Sequence, residues 1–263
     1  MIIAQISDTH IALEADDAGG RTADLERTLA DIDALDPPAD VIIHTGDVTH
    51  GGRREDYAAV ASLLGRARAP VYVAIGNRDD RGNLRRALSR WLPAAPGSSF
   101  LDYAVEDFPV RLIALDTVSP GTNKGDFSAE RARHLTALIE AEPGKPIAVF
   151  MHHPPFTVRV GPDPLNFVTP QAMATLRQAL EGSGRVVAVF CGHVHRSTWG
   201  GIGSIPVMVA PCTATALRKG DFPPTMASRP VYHLHRLNSA GELVTEVRIV
   251  GDAQHRQAHV RTN

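Results

Sequence analysis

Five short runs of β-branched and aliphatic residues in this chain each end beside a carboxylate, a carboxamide or an imidazole. The runs cover Ile2–Ile6, Val41–His44, 71–75, Ile147–Met151 and 186–190. They are followed by Asp8-Thr9-His10, Gly46-Asp47, Gly76-Asn77, His152-His153 and Gly192-His193-Val194-His195. Runs of this kind predict buried strands, and residues at the carboxyl ends of parallel strands meet at one edge of a sheet. The pattern therefore predicts one polar site built from distant parts of the chain.

The residues at this site are ligands that divalent transition metals prefer. Alternate side chains of an extended segment point the same way, so Asp8 and His10 can share an ion, and so can His193 and His195. The two carboxylate oxygens of Asp47 suit it to bridge two ions. Of 12 histidines, seven lie at or beside these strand ends, at positions 10, 44, 50, 152, 153, 193 and 195. The donors exceed the needs of one ion, which predicts a dinuclear hydrolytic site.

Composition and charge are those of an ordinary globular protein. The 263 residues are 43% hydrophobic and 21% charged, which allows a sizeable core. The formal net charge is −2 and no basic run occurs, which argues against a nucleic-acid polymer as the partner. Cys191 and Cys212 are the only cysteines, too few for a disulfide framework. We expect Cys191 to be a small buried residue.

The N-terminal segment predicts that the protein stays in the cytoplasm. No stretch approaches the roughly 18 consecutive apolar residues of a membrane span. The first predicted strand begins at Ile2, and Asp8 already belongs to the predicted site. Since cleavage of a signal peptide would remove these residues, we expect a cytoplasmic protein that has no membrane partner.

The order of the predicted elements is typical of an α/β fold. Helical spacing of apolar residues predicts helices over 24–35, 54–66, 128–140 and 169–180. The first two helices and the strands around them form a βαβαβ unit, so those strands are predicted to be parallel. A hairpin is predicted over 100–105 and 110–115, and later strands over 207–210, Val231–Leu237 and 243–250. Two packed sheets flanked by helices fit this pattern.

We expect a single domain over residues 1–250 and a polar C-terminal tail over 251–263. The segments 154–168 and 211–229 show no regular pattern and follow predicted site strands. Because α/β proteins bind ligands in loops at the carboxyl ends of strands, these segments are predicted to form the walls of a substrate pocket. In the alternative, they are mobile surface connections. The material after Pro211 could also mediate a homo-oligomer.

The order of the polar motifs resembles that of the calcineurin-like dinuclear metallophosphoesterase superfamily. More narrowly, it resembles bacterial class III cyclic-nucleotide phosphodiesterases and glycerophosphodiesterases. The similarity spans about residues 1–237 and includes three further motifs: Gly121-Thr122-Asn123-Lys124-Gly125, Met151-His152-His153-Pro154-Pro155 and Pro230-Val231-Tyr232-His233-Leu234. The resemblance implies a four-layer αββα sandwich, with two mixed β-sheets flanked by helices.

The resemblance also implies how the ligands are shared between two divalent transition-metal ions (iron, manganese, zinc or cobalt). One ion would be held by Asp8, His10, Asp47 and His195, and the second by Asp47, Asn77, His152 and His193. Two ions, two aspartates and a hydroxide leave a net positive charge, which suits the single negative charge of a phosphodiester. Hydrolysis would proceed by in-line attack of a metal-bound hydroxide.

The chain departs from the family pattern after Asn77. The family usually has a histidine there, credited with contacting the phosphate or protonating the leaving group, whereas this chain has Arg78. Arginine stays protonated and is a poor proton donor, so we expect Arg78 to stabilise the transition state electrostatically. His153 and His50 are the candidates for a general acid. In the alternative, Arg78 pairs with Asp79 or another surface carboxylate, and the protein is an inactive relative.

The predicted function is hydrolysis of small phosphodiesters of the cyclic-nucleotide or glycerophosphodiester type. Catalysis is assigned to Arg78, His153 and Asp47, and substrate binding to Asn77, Arg78 and His50. The alternatives are a phosphomonoesterase or nuclease of the same superfamily and a non-catalytic metal-binding scaffold.

Other polar residues are assigned more ordinary roles. His44 is predicted to be a hydrogen-bonded core histidine, and His233 and His235 are predicted to have structural roles. His134 is predicted to lie on a solvated helix face. Asp116 ends a predicted strand, where it either supports the site or caps a turn.

Overall fold

The computed structural model describes residues 1–93, 99–159, 164–165, 167–238 and 240–251. In these parts of the chain the strands are β1 (Ile2–Ile6), β2 (Val41–His44), β3 (Val71–Val73), β4 (Tyr103–Val105), β5 (Arg111–Leu115), β6 (Ile147–Met151), β7 (Val158–Arg159), β8 (Pro164–Leu165), β9 (Val186–Cys191), β10 (Thr198–Ile202), β11 (Ile205–Val209), β12 (Val231–Leu237) and β13 (Leu243–Ile249). The α-helices are α1 (Ala18–Asp33), α2 (Arg54–Leu64), α3 (Arg81–Ala87), α4 (Ala129–Ala141) and α5 (Pro170–Gly182).

The strands form two large mixed sheets. The first has the order β13-β12-β1-β2-β3, and the second has the order β10-β11-β9-β6-β5-β4. β1, β2 and β3 are parallel, as the βαβαβ pattern predicts. β5, β6, β9 and β11 are also parallel to one another. Five of these strands, β1, β2, β3, β6 and β9, lead at their carboxyl ends into the loops that carry the polar motifs.

Side-chain caps fix where the later helices begin. Ser128 accepts a hydrogen bond from the backbone N–H of Arg131 at the start of α4. Thr169 accepts one from Ala172 at the start of α5, where Pro170 occupies the first turn. These contacts supply acceptors to N–H groups that have no partner within a helix. A proline in the first turn has no N–H and needs no acceptor.

Three separate hydrophobic clusters define the layers of the molecule. One cluster lies between the first sheet and α1–α3 and includes Leu25, Val60 and Leu84. Another lies between the second sheet and α4–α5. The third lies between the two sheets and includes Ile43 and Phe150. Three buried interfaces require four layers, so the predicted αββα sandwich with two mixed sheets is confirmed.

Several element boundaries differ from the predictions. α1 begins at Ala18 rather than at residue 24, and β3 ends at Val73 rather than at residue 75. α3 and β10 were not predicted at all. α3 is short, basic and buries only Leu84, so it lacks the apolar period that identifies a helix. β10 contains two adjacent glycines, and glycine weakens the signal of a strand.

The two predicted pocket loops contain more structure than expected. Short strands β7 and β8 pair within 154–168, of which 160–163 and 166 lie outside the described residues. Two short 3-10 helices, Thr215–Leu217 and Pro224–Met226, occur within 211–229. The predicted polar tail lies outside the described residues from 252 onward. Within the described part, no helix is both long enough and apolar enough to cross a membrane.

Gln5 joins the two sheets, and the buried side chain of His235 holds it in place. The Nε2 of His235 donates to Gln5 Oε1 at 2.9 Å, and its Nδ1 accepts from Thr245 Oγ1 at 2.8 Å. Gln5 Nε2 in turn donates to the backbone oxygen of Cys191 at 2.8 Å. Burial lowers the pKa of His235 well below its usual value, which leaves the imidazole neutral. These bonds support the structural role predicted for His235, and the predicted burial of Cys191 is confirmed.

His233 makes the stability of the fold depend on pH. It is fully buried, its Nε2 lies 2.9 Å from Ser197 Oγ, and burial lowers its pKa to about 3. The unfolded chain binds that proton near pH 6.5, so stability should fall as the pH drops from about 6.5 toward 3. Urea unfolding of wild type and of His233→Gln, in one metal state, measures the free energy of unfolding at several pH values. This free energy should fall less steeply with decreasing pH in the variant, with a slope smaller by up to about 1.4 kcal/mol per pH unit. Equal slopes would contradict this origin.

Candidate metal centre

The predicted site residues lie at the carboxyl ends of strands from both sheets. Asp8 follows β1, Asn77 follows β3, His152 follows β6 and His193 follows β9. The backbone N–H of His193 donates to Asp8 Oδ2 at 3.0 Å. His152 Nε2 lies 3.1 Å from Asn77 Oδ1. Residues separated by more than 70 positions, one from each sheet, are therefore in direct contact.

One group of side chains consists of Asp8, His10, Asp47 and His195. His195 Nε2 lies 3.3 Å and His10 Nε2 lies 3.8 Å from Asp8 Oδ1. The two Nε2 atoms are 3.0 Å apart. One potential ligand atom from each of the four residues lies within 4.8 Å of those of the others. The arrangement can hold a metal ion.

A second group meets the first at Asp47. Its Oδ2 lies 3.6 Å from His10 Nε2, while its Oδ1 lies 3.4 Å from His152 Nε2. The ring of His193 is 5.0 Å from that of His152, measured between centroids. His152, His153 and His193 also form a group whose ligand atoms lie within 4.8 Å of one another. The two oxygens of Asp47 thus face histidines of different groups.

The backbone of the site adopts a conformation that is costly for most residues. The non-glycine residues with positive φ in the described chain are Asp8, His10, Asp47, His193 and His195, with φ of 53°, 45°, 52°, 75° and 59°. All five are predicted metal ligands. Residues in this region cost of order 1–3 kcal/mol each and persist only where surrounding structure holds them. Strain in the described chain is therefore concentrated at this site.

Backbone carbonyls determine which ring nitrogen faces the centre. His195 Nδ1 donates to Leu217 O at 2.9 Å. His152 Nδ1 donates to Thr45 O at 2.8 Å. In both residues this leaves Nε2 facing a carboxylate. Against burial, which lowers these pKa values, Asp47 raises the pKa of His152 to about 9 and Asp8 raises that of His195. Metal-binding histidines are commonly oriented in this way by a hydrogen bond on the other nitrogen.

Buried atoms without partners test whether metal ions fit. Within the described residues, Asp8 Oδ1, His153 Nε2 and His193 Nε2 are buried and accept or donate no hydrogen bond. An unpaired buried carboxylate oxygen is costly. Carboxylate oxygen and imidazole nitrogen are donors that suit divalent transition metals. The chemistry and the unmet bonding capacity of the residues therefore fit such ions.

The electrostatics keep these donors available. Burial would raise the pKa of Asp8, but the imidazoles around it hold the pKa well below its usual value. The pKa of Asp47 is likewise lowered, chiefly by His152 against the effect of burial. Burial lowers the pKa of His10 to about 4 and that of His193 to about 3. At neutral pH these two carboxylates are ionised and these two imidazoles are neutral.

One alternative from the sequence was that Arg78 pairs with Asp79, and the structure shows no such pair. The carboxylate of Asp79 accepts hydrogen bonds from the backbone N–H groups of Val48, Thr49 and Gly76 at 2.9–3.1 Å. Arg78 is exposed, and within the described residues no ion pair involves its guanidinium. It lines a cavity of about 560 Å³ between residues 77–81 and 118–123.

The two predicted general acids occupy different environments. His153 is fully buried, its Nδ1 lies 2.8 Å from Thr117 Oγ1, and burial lowers its pKa well below the usual value. The N–H of a neutral imidazole is a very weak acid, so this environment does not favour His153 as the general acid. His50 is exposed, and its Nδ1 lies 3.4 Å from that of His10. Its role stays a prediction.

Sequence reasoning missed residues that hold the ligands in place. Ser7 Oγ donates to Asp8 Oδ2, and the carbonyls of Leu217 and Thr45 orient two histidines. The position of Ser7 next to Asp8 was a usable signal. Every residue has a backbone carbonyl, so the sequence contains no signal for the roles of Leu217 and Thr45. Asp116 is buried and binds Arg81 through two hydrogen bonds of 2.6 and 2.8 Å, which supports the cavity wall.

Gly192 should be essential for the position of Asp8. A Cβ atom there would lie 1.9 Å from Ser7 Oγ and 2.6 Å from Asp8 Oδ2. We expect Gly192→Ala to lower metal affinity at least about tenfold, since supports of ligands have effects of this size. Gly20→Ala is the control, because a Cβ there meets nothing within 4 Å. Metal content after dialysis measures the effect, and wild-type content in Gly192→Ala would contradict it.

Comparison with known proteins identifies the family. The model of the calcineurin-like phosphoesterase family matches residues 1–197. A probable glycerophosphodiester phosphodiesterase GpdQ of Arcobacter nitrofigilis is 31% identical, covering 95% of this chain and 94% of the relative. The 3′,5′-cyclic adenosine monophosphate phosphodiesterase CpdA of Pseudomonas aeruginosa is 27% identical, covering 96% of this chain and 91% of the relative.

A solved structure shares the fold at low sequence identity. The purple acid phosphatase PPD1 of yellow lupin superposes with a TM-score of 0.64 at 13% identity, covering 98% of this chain and 52% of that one. Both halves of the four-layer sandwich are included in this coverage. Together with the match over residues 1–197, this similarity leads to one assignment. The chain belongs to the calcineurin-like phosphoesterase family.

Proposed function

We propose that the protein is a metal-dependent hydrolase of small phosphodiesters. The observation that carries the proposal is the pair of ligand groups that meet at Asp47, whose two oxygens face His10 and His152 at 3.6 and 3.4 Å. Two neighbouring divalent ions are a recurrent device for in-line displacement at phosphorus. Two relatives that align with nearly the whole chain, a probable glycerophosphodiester phosphodiesterase and a cyclic AMP phosphodiesterase, support the same function.

Seven side chains would hold two divalent transition-metal ions of iron, manganese, zinc or cobalt. The first ion would take Asp8, His10, Asp47 and His195, and the second would take Asp47, Asn77, His152 and His193. When bound, such ions acidify water and neutralise charge on phosphoryl oxygens. Asp8 and Asp47 carry two negative charges, whereas two divalent ions carry four positive charges. The net positive charge suits a phosphodiester monoanion.

Arg78 and Asn77 would act on the substrate from one side of the centre. The backbone N–H of Arg78 donates to Asp47 Oδ1 at 2.7 Å, which places this residue next to the shared ligand. Its guanidinium can bind a phosphoryl oxygen whose negative charge grows in the transition state. Of the two candidate acids, His50 is the one exposed to solvent, and it would protonate the leaving alcohol or bind substrate.

The substrates would be diesters of cyclic-nucleotide or glycerophosphodiester type. The cavity beside Arg78, about 560 Å³ in volume, is in the usual size range for a small-molecule site. A cytoplasmic location, a homo-oligomer and the absence of a nucleic-acid partner stay predictions from the sequence. The single-domain organisation over residues 1–250 also stays a prediction.

An activity panel on metal-reconstituted protein tests the proposal. We expect bis(p-nitrophenyl) phosphate to be hydrolysed with a higher kcat/KM than p-nitrophenyl phosphate, and cyclic AMP or glycerophosphocholine to be cleaved. Asp47→Asn should lose most activity and one or both ions, because the carboxylate that this variant lacks faces both ligand groups. A preference for the monoester would indicate a phosphomonoesterase. Bound metal without any hydrolysis would indicate a scaffold.

Arg78→Ala should lower kcat by about 10²–10³, the usual cost of removing one stabilising donor. The loss should be similar for an activated ester and for an unactivated ester, because Arg78 would supply charge rather than a proton. Arg133→Ala, at an exposed position on α4, is the matched control. A much larger loss on the unactivated ester would assign proton donation to this position, and equal activity of variant and wild type would exclude any role.

A further inference from the structure

The carboxylate of Asp79 links the segment after β2 to the segment after β3. Its Oδ2 accepts from the backbone N–H groups of Val48 at 3.1 Å and Gly76 at 2.9 Å. Its Oδ1 accepts from the backbone N–H of Thr49 at 3.0 Å. One side chain thus receives three backbone hydrogen bonds from two loops that are remote in sequence.

Tyr57 in α2 completes this arrangement. Its hydroxyl donates to Asp79 Oδ1 at 3.0 Å and accepts from the backbone N–H of Asp80 at 2.9 Å. The ring of Tyr57 is fully buried. Each oxygen of Asp79 therefore accepts two hydrogen bonds from these donors, which uses the four acceptor positions of an ionised carboxylate.

The two loops are those that carry Asp47 and Asn77. Val48 directly follows Asp47, and Gly76 directly precedes Asn77. The loops touch, since a Cβ on Gly76 would lie 2.1 Å from the backbone nitrogen of Asp47. Asp47 also has a φ of 52°, a conformation that needs support from its surroundings. The bonds to Asp79 supply that support on both sides of the contact.

We propose that Asp79, held by Tyr57, is a positioning residue that fixes Asp47 and Asn77 relative to each other. The inference rests on the proposed function in one respect, namely that these two residues are ligands of the second ion. Asp8, by contrast, is held by Ser7 and by the backbone of His193. Loss of Asp79 should therefore weaken the second ion more than the first.

A carboxylate is required at this position because all its partners are donors. Asparagine has nearly the same shape, but it offers one oxygen and one NH₂ group. In Asp79→Asn, the NH₂ group would face either the N–H pair of Val48 and Gly76 or the pair of donors from Thr49 and Tyr57. Two buried donors would lose their acceptor, and the loops would separate.

Manganese binding to Asp79→Asn tests the inference without relying on activity. Calorimetric titration of metal-free protein gives the two affinities, and the electron paramagnetic resonance signal of a spin-coupled manganese pair reports both ions together. We expect the second affinity to fall about 10- to 100-fold, the usual effect of removing a ligand's support, and the coupled signal to disappear at equal loading. The first affinity should change much less.

Asp80→Asn is the matched control, since it removes the same charge one residue away, where the side chain caps α3. It should bind manganese like wild type. Tyr57→Phe should weaken the second ion in the same direction, and it decides the question if Asp79→Asn does not fold. A folded Asp79→Asn with the wild-type manganese affinities and spin-coupled signal would overturn the inference. If Asp79→Asn does not fold, the same result in Tyr57→Phe would overturn it. Wild type that binds manganese but cleaves no diester would defeat the proposed function alone.

Discussion

Two buried carboxylates, those of Asp8 and Asp47, impose the main constraint on this molecule. Both are ionised at neutral pH in a setting where burial opposes their charge. Within the described residues, no lysine or arginine side chain pairs with either. A buried anion without compensation is costly, so backbone N–H groups, imidazoles and, by the proposed function, metal cations must supply the compensation. The site is therefore most stable when it is loaded with cations.

This constraint explains why strain is concentrated in five residues with left-handed backbone. Each is a predicted ligand, and a turn of this kind allows a side chain at a strand end to bend back toward the centre. Rigid sheets on both sides hold such turns. The contacts across them are tight, as Gly192 against Ser7 shows. A site on flexible loops would relax and separate its ligands, whereas two packed sheets prevent this.

The sequence predicted the site better than its support. That Asp8, Asp47, Asn77, His152 and His193 lie close together could be predicted, because each follows an apolar run and strand direction is set by topology. α3 and β10 could not be found, because one buries a single leucine and the other is rich in glycine. Side-chain direction was also out of reach. The sequence offered Asp79 as a partner for Arg78 only in the alternative of an inactive relative, and its carboxylate instead turns inward to backbone donors.

That inward turn has a chemical consequence for Arg78. The carboxylate of Asp79 accepts hydrogen bonds from backbone N–H groups and from the hydroxyls of Thr49 and Tyr57. Within the described residues, it forms no ion pair with the guanidinium of Arg78. The charge at residue 78 is therefore available to a substrate, and it is permanent, because arginine does not titrate in the working range of a protein. A protonated histidine at this position could donate its proton and become neutral, whereas arginine keeps its proton and its charge. If the proposed function holds, the proton for the leaving alcohol must come from His50 or from solvent.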